Sequence, residues 1–159
     1  NYSRIYSQMR VLVQVVKEAS VTIEGKLYSQ IRKGFLLFVG FTEGDDISIL
    51  EKMADKVTKL RIFEDSNGKT NLSLHDVDGE ILSVSQFTLY GNAKEGNRPS
   101  FVEAMKPIEA KTLFALWNNL LMKRFPHVKT GIFQADMKVG LVNDGPFTLW
   151  LDSKELWGK

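Results

Sequence analysis

A chain of 159 residues, 43% apolar and 25% charged, fits one globular domain with a substantial core and excludes a largely disordered protein. Cysteine is absent, which removes disulfides, thiolate nucleophiles and cysteine metal sites together, and the apolar run Phe35 to Phe41 is far too short to cross a bilayer. The net charge of +2 is unevenly spread: from Lys94 to Lys129 seven basic residues face three acidic ones, so that segment is +4 and the rest −2, a bias that suits a solvated helix face or a phosphate backbone.

Residues 1–8 are polar, carry no secretory signal and precede Met9, which reads as a natural start; they are set aside as a tail or remnant. Met9 to Val16 is a β-branched run that predicts a strand, and Ala19 to Ile23 predicts a second. Glu24-Gly25-Lys26 turns into a third strand at Leu27 to Ile31, and Lys33-Gly34 into Phe35 to Phe41, apolar enough to be buried on both faces. The first forty residues thus read as a β-meander. Gly44-Asp45-Asp46 supplies a carboxylate N-cap and acidic charge for a helix whose apolar face is Ile47, Leu50, Ala54, Val57 and Leu60. Asp65-Ser66-Asn67-Gly68 and Asp78-Gly79 are turns.

The stretch Ile81 to Tyr90 has strand composition but polar residues on both faces. Either its hydroxyls bond to neighbouring backbone, or the end of the strand lines a pocket with Ser85, Gln86 and Thr88 facing a ligand. A glycine-rich polar loop follows from Gly91 to Pro99. Ser100 to Glu103 matches a capping box for a short helix, and Pro107 opens a longer one with Leu113, Leu116, Trp117, Leu120 and Leu121 as its buried stripe. Val128 to Gln134, Val139 to Asn143 and Phe147 to Leu151 are the last strands. The expected class is α+β, a strongly curved or barrel-like sheet with two main helices packed on it.

Familiar catalytic parts are scarce. His75 and His127 are not spaced as a metal pair, Asp76 and Asp78 make a weak calcium pattern, and no phosphate-binding loop, Gly-x-Ser-x-Gly elbow or His-Glu-x-x-His occurs. In Asn143-Asp144-Gly145-Pro146-Phe147-Thr148, Asp-Gly between strands reads as a plain hairpin turn. Pro146 opens a second reading, a rigid cis turn presenting carbonyls outward.

Ser85-Gln86-Phe87-Thr88-Leu89 and Asn143-Asp144-Gly145-Pro146-Phe147-Thr148 resemble the two signature motifs of the D-aminoacyl-tRNA deacylases. The similarity runs from Met9 to Ser153 and includes Leu60 to Asp65, Arg98-Pro99-Ser100-Phe101 and Ala135-Asp136-Met137. It implies one deacylase domain over residues 9–153 with a tail at 154–159, working in the cytoplasm without a cofactor, metal or membrane. It further implies a homodimer with the active site at the subunit interface and D-aminoacyl-tRNA as substrate, with glycyl-tRNA mischarged on tRNA-Ala as a second ester. Ser85, Gln86, Phe87 and Thr88 would form the wall holding the terminal adenosine and aminoacyl group, with Met137 and Asn143 as further substrate-binding residues. The cis Gly145-Pro146 peptide would enter from the partner and exclude an L side chain. Phe87, through its backbone amide, and Thr88 are the catalytic candidates. Thr88 is a nucleophile on one view; on the other the tRNA 2′-hydroxyl assists, which the lack of a base near Thr88 in sequence favours. Intact Ser85 and Phe87 point to the strictly D-specific class. Two positions depart from the family: Val15 stands where an Arg commonly braces the Gly-Pro loop, and Phe147 where Val is common. The other functional class in play is a non-catalytic nucleic-acid-binding protein, resting on the +4 segment.

Overall fold

The computed structural model describes residues 7–158. Residues 1–6 of the expected tail lie outside the described residues, but Gln8 is tied in, its amide donating to Asp45 Oδ1 at 2.8 Å. The elements run β1 (Arg10–Ile23), β2 (Lys26–Ile31), β3 (Gly34–Gly40), α1 (Ile47–Lys59), β4 (Phe63–Glu64), β5 (Thr70–Leu72) and β6 (Glu80–Ser85). A single 3-10 turn (Phe87–Tyr90) follows, then α2 (Pro107–Arg124), β7 (Val128–Thr130), β8 (Met137–Asp152) and α3 (Ser153–Trp157). The expected C-terminal tail therefore carries a short helix, capped by Asp152.

Instead of a meander, the first forty residues form one long hairpin. β1 is continuous, and β2 and β3 pair with the same edge of it in one register from Arg10 to Val21, Ala19 with Ile31 and Val16 with Gly34, with a shift only at Val21/Thr22 near the turn. The exposed pair Lys17-Glu18 imitates a strand break in sequence; in space it is a register shift at Val16 and Glu18. That shift exchanges the faces of β1. Val11, Val13 and Val15 pack towards the helices, while Val16, Ala19 and Val21 join Ile31, Leu36, Leu82 and Val84 inside the curl of the sheet. β3, buried nearly throughout, contributes to both cores.

Beyond β3 the sheet continues through parallel β6 and β7. The β7 end turns back on β2, where Ser29 Oγ donates to the Thr130 carbonyl at 3.1 Å and Lys129 Nζ to the Gln30 carbonyl at 2.9 Å. The result is a nearly closed, barrel-like mixed sheet with α1 and α2 on its outer side, as the α+β expectation had it. Asp46 caps α1, accepting from the Ile49 amide at 3.1 Å. Asp45 is not a first-turn charge; it is buried, accepting from the amides of Gln8 and Thr42.

Three local expectations give way to tertiary pairing. The predicted helix from Ser100 does not form, because the Ser100 amide and carbonyl are both taken by Asn92 in a bridge, at 2.8 Å each. In α2 the buried stripe is Ala110, Phe114, Trp117, Asn118, Leu120 and Leu121, whereas Leu116 meets Ile47 in a shallow groove, both part-exposed. The predicted hairpin at Asp144-Gly145 is absent: the chain before and after it runs in one direction, both parts antiparallel to β1 within a single strand β8.

Candidate active site

The strand expected over Ile81 to Tyr90 ends at Ser85, which explains its mixed polarity. Up to Ser85 the chain is sheet; the Gln86 amide makes the closing bond to the Val39 carbonyl at 2.8 Å, and Phe87 to Tyr90 wind into the 3-10 turn. Glycine at position 40 permits that approach, since a Cβ there would stand 2.7 Å from the Tyr90 ring and 3.0 Å from the Gln86 carbonyl oxygen. Tyr90 is buried and its hydroxyl donates to the Gln8 carbonyl at 2.7 Å. Burial, with the Asp45 carboxylate adding to it, pushes that hydroxyl far above the ordinary tyrosine range, so it stays a neutral donor. Arg10 completes the mount. Its Nη1 donates to the Leu89 carbonyl at 2.8 Å, its guanidinium lies over the Tyr90 ring at 4.9 Å, and its Nε pairs with Asp152 at 3.2 Å.

With Tyr90 inward, Phe87 and Thr88 face out. The Phe87 side chain is 59% exposed and stands edge-on to Phe101 at 5.3 Å. The first internal bond of the turn runs from the Leu89 amide to the Gln86 carbonyl, so the Phe87 and Thr88 amides have no partner within it and are available to an acceptor. Thr88 Oγ1 accepts from Gln86 Nε2. An amide donor there cannot take the proton that a threonine nucleophile must lose.

Beside this turn opens a cavity of about 790 Å³, within the usual range for a small-molecule site. Ser85, Gln86, Phe87 and Met137 line it together with Phe101, Met105 and Lys106. Met137 reaches the wall because Gly131 leaves room; a Cβ on that glycine would lie 2.6 Å from Met137 Sδ. The lining is mostly apolar (Val39, Val84 and Val139 among others) with the amide and hydroxyl groups of Gln86 and Ser85 and one charge of each sign, Lys106 and Asp136, which suits a planar base and a small side chain better than a highly charged group. Among the described residues no three metal-ligating side chains cluster. Asp76 is spent on the Ser73 amide and hydroxyl, and the exposed His75 packs edge-on to Phe125.

Asn143, Gly145 and Pro146 are not among the cavity's lining residues. They belong to a loop where β8 leaves the ladder. Gln14 pairs with Thr148 and Val16 with Asn143, so the single residue Val15 stands opposite four residues, Asp144 to Phe147. The Gly145-Pro146 peptide is cis, and Gly145 adopts φ 135°, a conformation side-chain-bearing L-residues rarely take. Asp144, Gly145 and Pro146 are all exposed. One chain therefore gathers Ser85, Gln86, Phe87 and Met137 at a cavity, sets Thr88 beside it, and holds the Gly-Pro loop elsewhere. Phe101, Lys106 and Gly40 join the site without a chemical motif in the sequence that marks them as site residues. A glycine inside an otherwise apolar strand was the available signal for Gly40.

The family described as D-Tyr-tRNA(Tyr) deacylase matches residues 12–152. A protein of Lactobacillus acidophilus named D-aminoacyl-tRNA deacylase is 61% identical over 144 residues, covering 91% of this chain and 99% of its own length. One of Thermomicrobium roseum with the same name is 55% identical over 150 residues, covering 94% of this chain and 97% of its own. Among solved structures, one titled c-Myc DNA Unwinding Element Binding Protein superposes with a TM-score of 0.85 at 39% identity, over 89% of this chain and 97% of that one. Another, titled as a probable eukaryotic D-amino acid tRNA deacylase, shares the fold with a TM-score of 0.78 at 16% identity, over 91% of this chain and 99% of that one.

Proposed function

The chain belongs to the D-aminoacyl-tRNA deacylase family, and from that premise we propose that its active site is assembled from two copies of the chain. It is a hydrolase that cleaves the ester bond of D-aminoacyl-tRNA and releases free D-amino acid and tRNA, a chiral proofreading step in translation. The cavity beside Phe87 receives the terminal adenosine and the aminoacyl group; Ser85, Gln86 and Met137 contact them. The Gly145-Pro146 loop of a second copy closes this cavity, its carbonyls accepting from the substrate amino group and its backbone blocking an L side chain. The observation that supports this reading is the separation of the two motifs within one chain: the Gly-Pro loop does not line the cavity and is itself exposed. Glycyl-tRNA mischarged on tRNA-Ala, with no side chain to exclude, passes the same gate. The protein works in the cytoplasm, where aminoacyl-tRNA is made and used, and no described helix is long and apolar enough to cross a membrane.

In the chemical step a water oxygen adds to the ester carbonyl carbon while the Phe87 amide donates to the carbonyl oxygen as it gains charge. The carbon–O3′ bond then breaks. The two hydrogens of the water end on the 3′-hydroxyl of the tRNA and on the released amino acid's carboxyl group. The neighbouring 2′-hydroxyl relays the proton, since Thr88 Oγ1 has an amide donor and no base.

Incubation with D- and L-tyrosyl-tRNA tests the reading. D-ester hydrolysis with the L-ester spared is the expected result, and equal or absent hydrolysis of both overturns it. A tRNA ending in 2′-deoxyadenosine is expected to resist cleavage. One observation favours a second reading, nucleic-acid binding without catalysis: the 39% identical structure whose title names a DNA unwinding element. Among the described residues Lys94, Arg98, Lys106, Lys111 and Lys123 also form no ion pair. Salt-dependent binding of duplex DNA without deacylation would favour that reading.

A further inference from the structure

Val15, opposite the Gly-Pro loop, is buried in the core beneath it and offers the loop no polar group. The polar span from β1 to the loop comes from its neighbour. Asn143 Nδ2 donates to Gln14 Oε1 at 2.9 Å and to Thr148 Oγ1 at 2.8 Å, while Asn143 Oδ1 accepts from the Phe147 amide at 2.7 Å. One side chain thus joins the two ends of the loop to each other and to β1, using both of its N–H groups and its oxygen. The Phe147 ring, part-buried, packs against the core cluster that contains Val15.

We propose that Gln14 and Asn143 are positioning residues that set where Gly145 and Pro146 stand, and through them the ratio of D- to L-ester hydrolysis. This rests on the gate reading above. Val15 and Phe147 supply an apolar footing, and Gln14 through Asn143 supplies direction. Neither amide titrates, so the brace carries no charge that salt could screen.

Four variants test the proposal. Gln14→Leu keeps the volume and removes the acceptor; the D-to-L ratio of kcat/KM is expected to fall about ten- to hundredfold, the scale of an ångström's misplacement at a reacting centre. Gln14→Glu keeps an acceptor for Asn143 Nδ2 and is expected to retain the ratio, as is Asn143→Asp, because Gln14 can turn its NH₂ towards the new carboxylate. Combining Gln14→Glu with Asn143→Asp sets two carboxylates across the 2.9 Å contact and is expected to lose what each alone keeps. Exchange of the Phe147 amide gives a readout independent of catalysis, with protection expected in the wild type and in Gln14→Glu and lost in Gln14→Leu. An unchanged ratio in Gln14→Leu overturns the proposal. Should the wild type hydrolyse neither ester, the gate reading fails separately, and equal Phe147 protection in wild type and Gln14→Leu overturns the brace.

Discussion

The turn from Gln86 to Tyr90 is fastened from below by the Val39 carbonyl, the close approach to Gly40, the Tyr90 hydroxyl on Gln8 and Arg10 on Leu89. Asp144 to Pro146, by contrast, stand clear of the fold and are held only at their ends, by Asn143 and Phe147. A surface that must bind a base repeatedly in one pose gains from being part of the core. On the proposed reading the loop is a gate for another subunit's cavity; such a gate must protrude, so its shape has to come from backbone conformation. The contrast makes a general expectation: damage to the wall costs stability and activity together, whereas damage to the loop costs activity and selectivity but little stability.

The largest expected effect tests the loop half of that contrast. Gly145→Ala places a side chain at φ 135°, with its Cβ 3.0 Å from the Phe147 amide nitrogen. Holding an L-residue there costs about 1–3 kcal/mol, and an exposed loop relieves such strain by moving. The displacement is expected to lower D-tyrosyl-tRNA hydrolysis about hundredfold. The melting temperature should barely change. A large drop in melting temperature would show that the loop is part of the core and break the comparison.

Next is the wall. Gly40→Ala cannot be accommodated by a surface shift, because the obstacles are the buried Tyr90 ring at 2.7 Å and the Gln86 carbonyl at 3.0 Å. Overpacking of this kind costs about 1–3 kcal/mol. The turn is pushed out with Phe87 on it, so deacylation should fall about tenfold or more. Thermal melts alongside single-turnover deacylation check that both losses occur in the same variant.

Asp45 sharpens the comparison through pH, since it binds the Gln8 amide whose residue also receives the Tyr90 hydroxyl. Desolvation pushes its carboxyl up from 3.8 to about 6, outweighing the amide hydrogen bonds from Thr42 and Gln8 that favour ionisation. The unfolded chain ionises this group near the lower value, so the folded state is favoured while the group is protonated. That contribution is complete below about 3.8 and is lost as pH rises through about 6, amounting to at most ~3 kcal/mol. Asp55, Asp65, Asp76 and Glu80 are shifted the other way and oppose it in more acidic solution. The difference between wild type and Asp45→Asn isolates it. In denaturant titrations the variant is expected to gain on the wild type as pH rises through that interval.

The wall and the loop were also unequally legible in sequence. β3, α1 and the start of α2 follow from apolar run, N-cap and proline, because local chemistry and final packing agree there. β1 and β8 each look like two strands in sequence, since Lys17-Glu18 and Asp144-Gly145 resemble breaks when only neighbours in the chain are considered. Each break is bridged by a partner far away in sequence: β1 holds both parts of β8, and β8 holds both parts of β1. The anomaly at Ser85 to Thr88 was visible as polarity on both faces. Its cause was not, because the turn is created by Gly40, Gln8 and Arg10, residues with no local sign of contact with it. The braces of the loop were hidden for the same reason: Gln14 and Asn143 lie 129 positions apart.

The smallest expected effect falls on the residue that looks most like a nucleophile. Thr88 sits at the mouth of the wall with its hydroxyl exposed, and a serine- or threonine-based hydrolase would place a base against it. Its hydrogen-bond partner is the Gln86 side-chain amide, which donates and leaves Oγ1 as an acceptor. The groups in this turn equipped to act on an ester are backbone amides, and substituting the Thr88 side chain leaves them in place. Thr88→Ala is therefore expected to keep deacylation of D-tyrosyl-tRNA within a few-fold of wild type, about 1 kcal/mol for one exposed hydrogen bond. It should also keep the melting temperature, since the hydroxyl bonds only to a neighbour in its own turn. Loss of turnover by several orders of magnitude, with binding and fold intact, would assign the chemistry to the side chain and reduce the wall's amides to a mount. Substrate ending in 2′-deoxyadenosine, assayed on the same variant, separates the outcomes: if the tRNA hydroxyl carries the proton, Thr88→Ala on that substrate is no slower than the wild type.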